Sequence, residues 1–254
     1  MSWNIDEIKD NALRLLCVDG LGVATLSKLV LAAGGINEAG DAVFSLDAAD
    51  FLPLGACEML RKKMQRMEVD PARWSAEAVE AKIVLVTDED FPQLLSPLPA
   101  CPSALWFRGT LDAVALASVG VVGSRRCTKY GIEQASAFSK EIVQADIAIV
   151  SGGARGIDAA AHRAALKHSG TTVAVLGSGL SVVYPPEHNS LFDSIVLNGG
   201  AILSEFPCHR APKPVYFPRR NRIVSYWREK TRKGKKTEWL RVSGYLDIWI
   251  SGYL

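Results

Sequence analysis

The sequence has few cysteines, and they follow no pattern. Cys17, Cys57, Cys101, Cys127 and Cys208 are odd in number, widely spaced and form no Cys-x-x-Cys. That excludes a disulfide framework and a zinc ribbon, and it fits a reducing cytoplasm. Long apolar runs are lacking too, since none approaches the ~18 residues of a membrane span. The first seven residues, Met-Ser-Trp-Asn-Ile-Asp-Glu, have neither the basic nor the apolar region of a secretory signal. His162, His168, His188 and His209 form no His-Glu-x-x-His and adjoin no cysteine pair, so no metal site is expected. The P-loop, the dinucleotide fingerprint Gly-x-Gly-x-x-Gly and the nucleophile elbow Gly-x-Ser-x-Gly are all missing. No cofactor is therefore expected.

There is little excess charge of either sign. Across 254 residues, 29 basic and 27 acidic side chains leave a net charge of +2, so bulk charge does not announce a polyanion partner. The balance hides a gradient: residues 1–70 hold 7 basic and 11 acidic groups, 71–225 hold 15 and 13, and 226–254 hold 7 and 3. A hydrophobic fraction of 48% is that of a folded globular chain, which excludes disorder and a collagen-like fibre. The length allows one or two domains.

What is present divides into three stretches. Residues 1–70 read as a small helical unit ending at Asp70-Pro71. Ile5, Ile8, Ala12, Leu15 and Leu16 recur at helical spacing, Gly20-Leu21-Gly22 breaks the pattern, and 24–33 resumes it. Helix, Gly-Leu-Gly turn, helix is the layout of a helix-hairpin-helix, whose turn either grips phosphate or simply packs two helices. Residues 71–225 alternate short apolar runs with amphipathic stretches. Strands are predicted at 83–86, 119–122, 147–150, 173–176 and 201–203, with helices at 131–143 and 158–167. That alternation predicts an α/β fold with a parallel sheet covered on both faces and its loops gathered at the strand C-termini. Residues 226–254 break the pattern: three of the six tryptophans and a strongly basic run at 228–236 fall there.

Three clusters carry chemistry. Gly123-Ser124-Arg125-Arg126 follows a predicted strand and offers amides, a hydroxyl and guanidinium forks to an anionic oxygen. Ser151-Gly152-Gly153-Ala154-Arg155-Gly156 follows the next strand, and its glycines suit a concave nest of outward amides. Asp158 and His162 lie one helical turn apart beyond it, either as a catalytic pair or as a helix cap and a structural hydrogen bond; no neighbouring nucleophile supports the former. The third cluster, Lys213-Pro-Val-Tyr216-Phe217-Pro-Arg219-Arg220-Asn221-Arg222, interleaves four cations with two rings. Arg forks read phosphate and ring faces stack bases at about 1–3 kcal/mol each, a composition suited to single-stranded nucleic acid. The bland alternative is a solvated loop with its rings packed on the core.

The order of these blocks closely resembles the DNA-processing protein A family, also called Smf. It runs Val-Gly-Val-Val-Gly-Ser-Arg (119–125), Val-Ser-Gly-Gly-Ala-Arg-Gly-Ile-Asp-Ala-Ala-Ala-His (150–162), Thr-Val-Ala-Val-Leu-Gly-Ser-Gly-Leu (172–180), Tyr184-Pro185, Ser-Glu-Phe-Pro (204–207) and Phe-Pro-Arg-Arg-Asn-Arg-Ile-Val-Ser (217–225). Phe91-Pro92 and 105–109 match the lead-in. The resemblance implies an extended Rossmann-like domain at 71–225 after a sterile-alpha-motif-like helical domain at 1–70. It implies a non-enzymatic cytoplasmic protein that binds single-stranded DNA in natural transformation, protects it and loads the recombinase RecA. It assigns DNA contacts to Ser124, Arg125, Ser151, Gly152, Gly153, Arg155, Gly156, Arg219, Arg220, Asn221 and Arg222, and the basic cluster adds Lys213. No membrane partner is implied; a homodimer is.

After Ser225 the resemblance ends abruptly. The remaining strands and helix of the Rossmann-like domain, with the region that serves dimerisation, are replaced by an atypical basic tail over 226–254. A frameshift or truncation at 226 accounts for this, and it predicts exposed sheet edges. Two further readings stand beside DNA binding. One is a Rossmann-like nucleotide hydrolase using Glu205, although Ser-Gly-Gly-Ala-Arg-Gly lacks the threonine of that loop. The other is a non-functional remnant.

Overall fold

The computed structural model describes residues 2–45, 52, 54–98, 101–115, 117–226, 239–241 and 249–251. A two-residue strand, β1 (Trp3–Asn4), leads into helices α1 (Asp10–Cys17), α2 (Val23–Ala33), α3 (Ile36–Ala42), α4 (Leu54–Gln65) and α5 (Asp70–Glu77). The chain then forms β2 (Lys82–Leu85), β3 (Ala104–Gly109), the short α6 (Asp112–Ala115), β4 (Ser118–Val122), α7 (Lys129–Gln144), β5 (Ala148–Ser151), α8 (Ile157–Lys167) and β6 (Thr172–Val175). It continues through α9 (Asn189–Leu197), β7 (Ala201–Ser204), α10 (Tyr216–Tyr226), β8 (Trp239–Arg241) and β9 (Trp249–Ser251).

One mixed sheet collects the strands in the order β1-β2-β3-β7-β6-β5-β4-β9-β8. Its centre, β4 to β7, is parallel, as the alternating pattern predicts. The flanks are antiparallel, which that pattern did not signal. The apolar run at 105–107 forms β3 and pairs with β7, extending the sheet towards the helical region. At the other side, β9 pairs with β4, so this edge is covered rather than exposed. Most of the 226–254 tail lies outside the described residues.

Because β4, β5, β6 and β7 are neighbours in chain order, right-handed crossovers place α7, α8 and α9 on the same face. Small side chains allow that close approach: Ala135 of α7 and Ala160, Ala161 and Ala165 of α8 pack on Val119, Val121 and Ile149. Thr128 starts α7 by accepting the Gly131 amide at 3.1 Å, a cap worth about 1 kcal/mol. The opposite face carries Val150, Val173, Val175 and Leu203, covered by Ile223 and Val224 of α10 and by Phe91 and Leu95.

The helical region shares a core with the sheet: Leu13, Leu29 and Met64 join Ile83, Trp106, Phe192 and Ile195 in one cluster. The helices do not stop at Asp70-Pro71, because Pro71 sits in the first turn of α5, where its missing N–H costs nothing. The Gly20-Leu21-Gly22 turn is used internally. Arg210 donates to the Cys17 carbonyl and to Asp19, each at 3.1 Å, and Lys63 donates to the Asp19 carbonyl at 3.2 Å. The Arg210 contacts tie the turn to the sheet domain and the Lys63 contact ties it to α4, which favours packing over a phosphate grip.

Candidate functional site

Parallel strands end together, so the loops after β4, β5, β6 and β7 share one edge of the sheet. Phe217 and Arg220 of α10 reach the same edge, and a cleft forms there between Arg125, Arg155, Gly177, Tyr184, Phe217 and Arg220.

The loop after β5 is a nest, but its occupant is the protein itself. The Asp158 carboxylate, in the first turn of α8, accepts the Ala154 amide at 3.3 Å and also those of Gly123 and Gly152. Burial pushes the Asp158 carboxyl up, while Arg220 and the three amides pull it back. Ser151 is fully buried and its hydroxyl donates to the Val121 carbonyl at 2.6 Å. Gly152 and Gly153 are also buried, and the Gly153 carbonyl accepts from His188 Nδ1 at 2.9 Å. A Cβ on Gly152 would collide with the Arg220 guanidinium, and Gly156, at φ +78°, brings α8 against the Ser124 carbonyl. Ser151 and Gly153 lie buried with the Ser151 hydroxyl and the Gly153 carbonyl engaged inside the fold, which does not fit the direct DNA contact the resemblance assigns them, whereas Gly152 is part of the cleft lining.

His162 is a core histidine. Its Nδ1 lies 2.7 Å from Thr172 Oγ1, and that hydroxyl donates to the Ile149 carbonyl at 2.9 Å, so the imidazole is the donor. Burial, with His188 and Arg220 nearby, lowers its pKa to about 3. It is neutral and makes no pair with Asp158.

The third cluster is a helix, not a loop, and a helix sends consecutive side chains to different sides. Arg220 is 3% exposed and one of its terminal nitrogens donates to the carbonyls of Gly152 and Val175. Arg222 donates to Glu205, and Arg219 lies 3.2 Å from the same carboxylate. Glu205 is itself buried, which raises its carboxyl against the pull of the two arginines. Asn221 is exposed. Arg220 and Arg222 therefore act first as internal ties rather than as free cations.

The exposed cations Arg125, Lys213 and Arg219 each meet a ring, and two short ladders of cation and ring result, the second with buried Phe206 at its base. In the cleft, Arg125 lies 4.6 Å over the Phe217 ring, and the Tyr184 ring tilts against that same Phe217 ring at 5.5 Å and 47°. Along the rim, Lys213 lies 5.8 Å from the Tyr216 ring, Tyr216 stacks on Phe206 at 4.1 Å, and Arg219 lies 5.7 Å from Phe206. Ser124 is partly exposed, its hydroxyl accepting the Arg126 amide at 3.1 Å. Arg155 is exposed and forked onto Glu187. Sequence reasoning missed Tyr184 as a wall of the cleft and Glu187 altogether; the Tyr-Pro pair at 184–185 was the available signal for the former. Among the described residues no group of His, Cys, Asp and Glu could hold a metal, and no helix is long and apolar enough to cross a membrane.

Fold and site together define a Rossmann-like α/β protein with a cationic, ring-walled cleft at the C-terminal edge of its parallel strands. Its residues 82–231 match the model of the DNA recombination-mediator protein A family, and the chain belongs to that family. It is 37% identical over 186 residues to the Smf protein of Synechocystis sp., covering 68% of this chain and 46% of that one. It is 36% identical over 177 residues to DNA processing protein DprA of Streptococcus pneumoniae, covering 69% and 62% respectively. It thus spans about half the length of the curated relatives it matches. The solved structure of the pneumococcal protein superposes with a TM-score of 0.68 at 30% identity, over 89% of this chain and 76% of that one. A DNA processing protein A from Helicobacter pylori, described for its single-stranded DNA binding mode, gives 0.51 at 27% identity over 57% and 65%.

Proposed function

We propose that this chain binds single-stranded DNA in the cleft at the strand C-termini and serves DNA uptake in transformation as a cytoplasmic recombination mediator. The observation that carries the reading is the Arg125–Phe217–Tyr184 ladder, where a guanidinium meets phosphate beside ring faces that stack bases. Ser124, Arg125 and Arg155 contact the strand in the cleft, and Lys213 and Arg219 extend the track along the rim. Asn221 lies exposed beside Arg219 and borders the track. Ser151, Gly152, Gly153, Gly156, Arg220 and Arg222 shape the cleft from within.

The role is binding, not turnover. The cleft offers cations, backbone and rings, and Glu205 is held by two arginines rather than poised as a free acid. In this reading the region from β2 onward is the DNA-binding unit, and helices α1 to α5, which run past the expected boundary at 70 to Glu77, are a helical unit docked on it. Delivery of the strand to RecA and pairing with a second copy of the chain complete the role, as in the family resemblance.

The test is fluorescence anisotropy of a labelled oligonucleotide of about 30 nucleotides at two salt concentrations, with duplex as competitor. Log affinity should fall against log salt with a slope of roughly 0.7 per phosphate neutralised, and the single strand should win. A folded sample that binds no strand at low salt refutes the reading.

A further inference from the structure

The cleft is less positive than its cations suggest. Three guanidinium groups line it, those of Arg125, Arg155 and Arg220. Arg220 is faced by buried Asp158. Arg155 is held side-on by Glu187, its Nε on one carboxylate oxygen and its Nη2 2.9 Å from the other. Among the described residues only Arg125 lines the cleft without a carboxylate partner. The two compensating acids differ in one respect. Asp158 is 4% exposed and bound by three amides, so no ligand can displace it. Glu187 and Arg155 have half-exposed side chains, 50% and 54%, on the cleft rim.

We infer that Glu187 is a specificity residue: in the free protein its carboxylate occupies the Arg155 fork that a DNA phosphate takes over, so the cleft admits a linked strand and rejects single nucleotides. A carboxylate and a phosphate present the same pair of oxygens to a guanidinium fork. Glu187 is tethered, so it competes at a high effective concentration. A lone nucleotide brings one phosphate and loses that competition. A strand is already anchored by Arg125 and by the rings of Phe217 and Tyr184, so its next phosphate arrives equally tethered and wins. Exposed ion pairs are weak and screened by salt, which makes the exchange reversible. Arg155 also holds the Glu187 carboxyl down to about 2, so the competitor is charged at every physiological pH.

This inference rests on the DNA reading and deepens it. The experiment compares wild type, Glu187→Gln, Arg155→Ala and the double variant in binding a ~12-nucleotide oligothymidylate and thymidine monophosphate at low salt. Glu187→Gln should tighten strand binding about two- to tenfold and mononucleotide binding by a larger factor, so the strand-to-nucleotide ratio falls. In the Arg155→Ala background the same change should have an effect below about twofold. Thermal melts of the exposed-site variants should match wild type, which separates binding from folding. Weaker strand binding by Glu187→Gln would overturn the inference, since Glu187 would then hold Arg155 in place for DNA. Unchanged binding and ratio would overturn it too, while leaving the cleft as the DNA site. No strand binding by any of the four proteins would refute the cleft itself and the inference with it.

Discussion

Two loops leave neighbouring parallel strands at the same edge of the sheet, and the side chains of Arg125 in the first and Ser151 in the second point in opposite directions. After β4, Arg125 stands exposed over the Phe217 ring. After β5, the glycine-rich loop turns its Gly152 and Ala154 amides inward to Asp158, its serine to the Val121 carbonyl, Gly152 against Arg220 and Gly153 against Phe192. Only Arg155 of that second loop points outward, and it is already paired. A nest of amides needs an anion, but nothing requires the anion to come from a ligand. Here a side chain supplies it, and the loop's work is to fix the floor on which the first loop and α10 rest.

That division predicts large stability effects on one side and pure binding effects on the other. The strongest test is Arg220→Ala. It removes two carbonyl hydrogen bonds and leaves Asp158 buried without its cation, so the chain should lose about 3–5 kcal/mol in denaturant unfolding. A melt unchanged from wild type would show that the buried network is not structural. Next, Gly156→Ala forces a side chain into a left-handed conformation and onto the Ser124 carbonyl, which ties the two loops together. It should cost at least about 2 kcal/mol in the same assay.

A smaller effect comes from His162. Its folded pKa of about 3 lies below the ordinary 6.5, so below pH 6.5 the unfolded chain binds a proton that the folded chain refuses. Stability from this residue is therefore present above that pH and lost as pH falls towards 3, at up to about 1.4 kcal/mol per pH unit. Melts at pH 7, 6 and 5 should show that slope in wild type and a shallower one in His162→Gln. Smallest of all in stability is Arg125→Ala, expected within about 0.5 kcal/mol of wild type in unfolding. Its effect belongs in anisotropy, as a loss of about 1–2 kcal/mol in strand binding. Should Arg125→Ala unfold the chain, or Arg220→Ala weaken binding alone, the contrast between the two loops collapses.

Much of this architecture is legible in the sequence. Alternating apolar runs and amphipathic stretches give β4, α7, β5, α8, β6 and β7, because parallel strands and their crossover helices carry separate periods of burial. The flanking strand β3 is less legible, since its apolar run also suits a buried segment of other kinds, and its antiparallel partner β7 lies about 100 residues away. The site is legible by composition and misread in direction. Arg219, Arg220, Asn221 and Arg222 look alike as a string of polar residues.

The sequence by itself determined the α/β class, the helical region before it, the loops that share an edge and the family. Only the tertiary structure decided which polar groups remain for a ligand. The reason is geometric: each residue of α10 turns about 100° from the last. Whether a given arginine meets water, a ring, Glu205 or the interior beside Asp158 depends on what the sheet places opposite it, and that is set by elements far away in the chain.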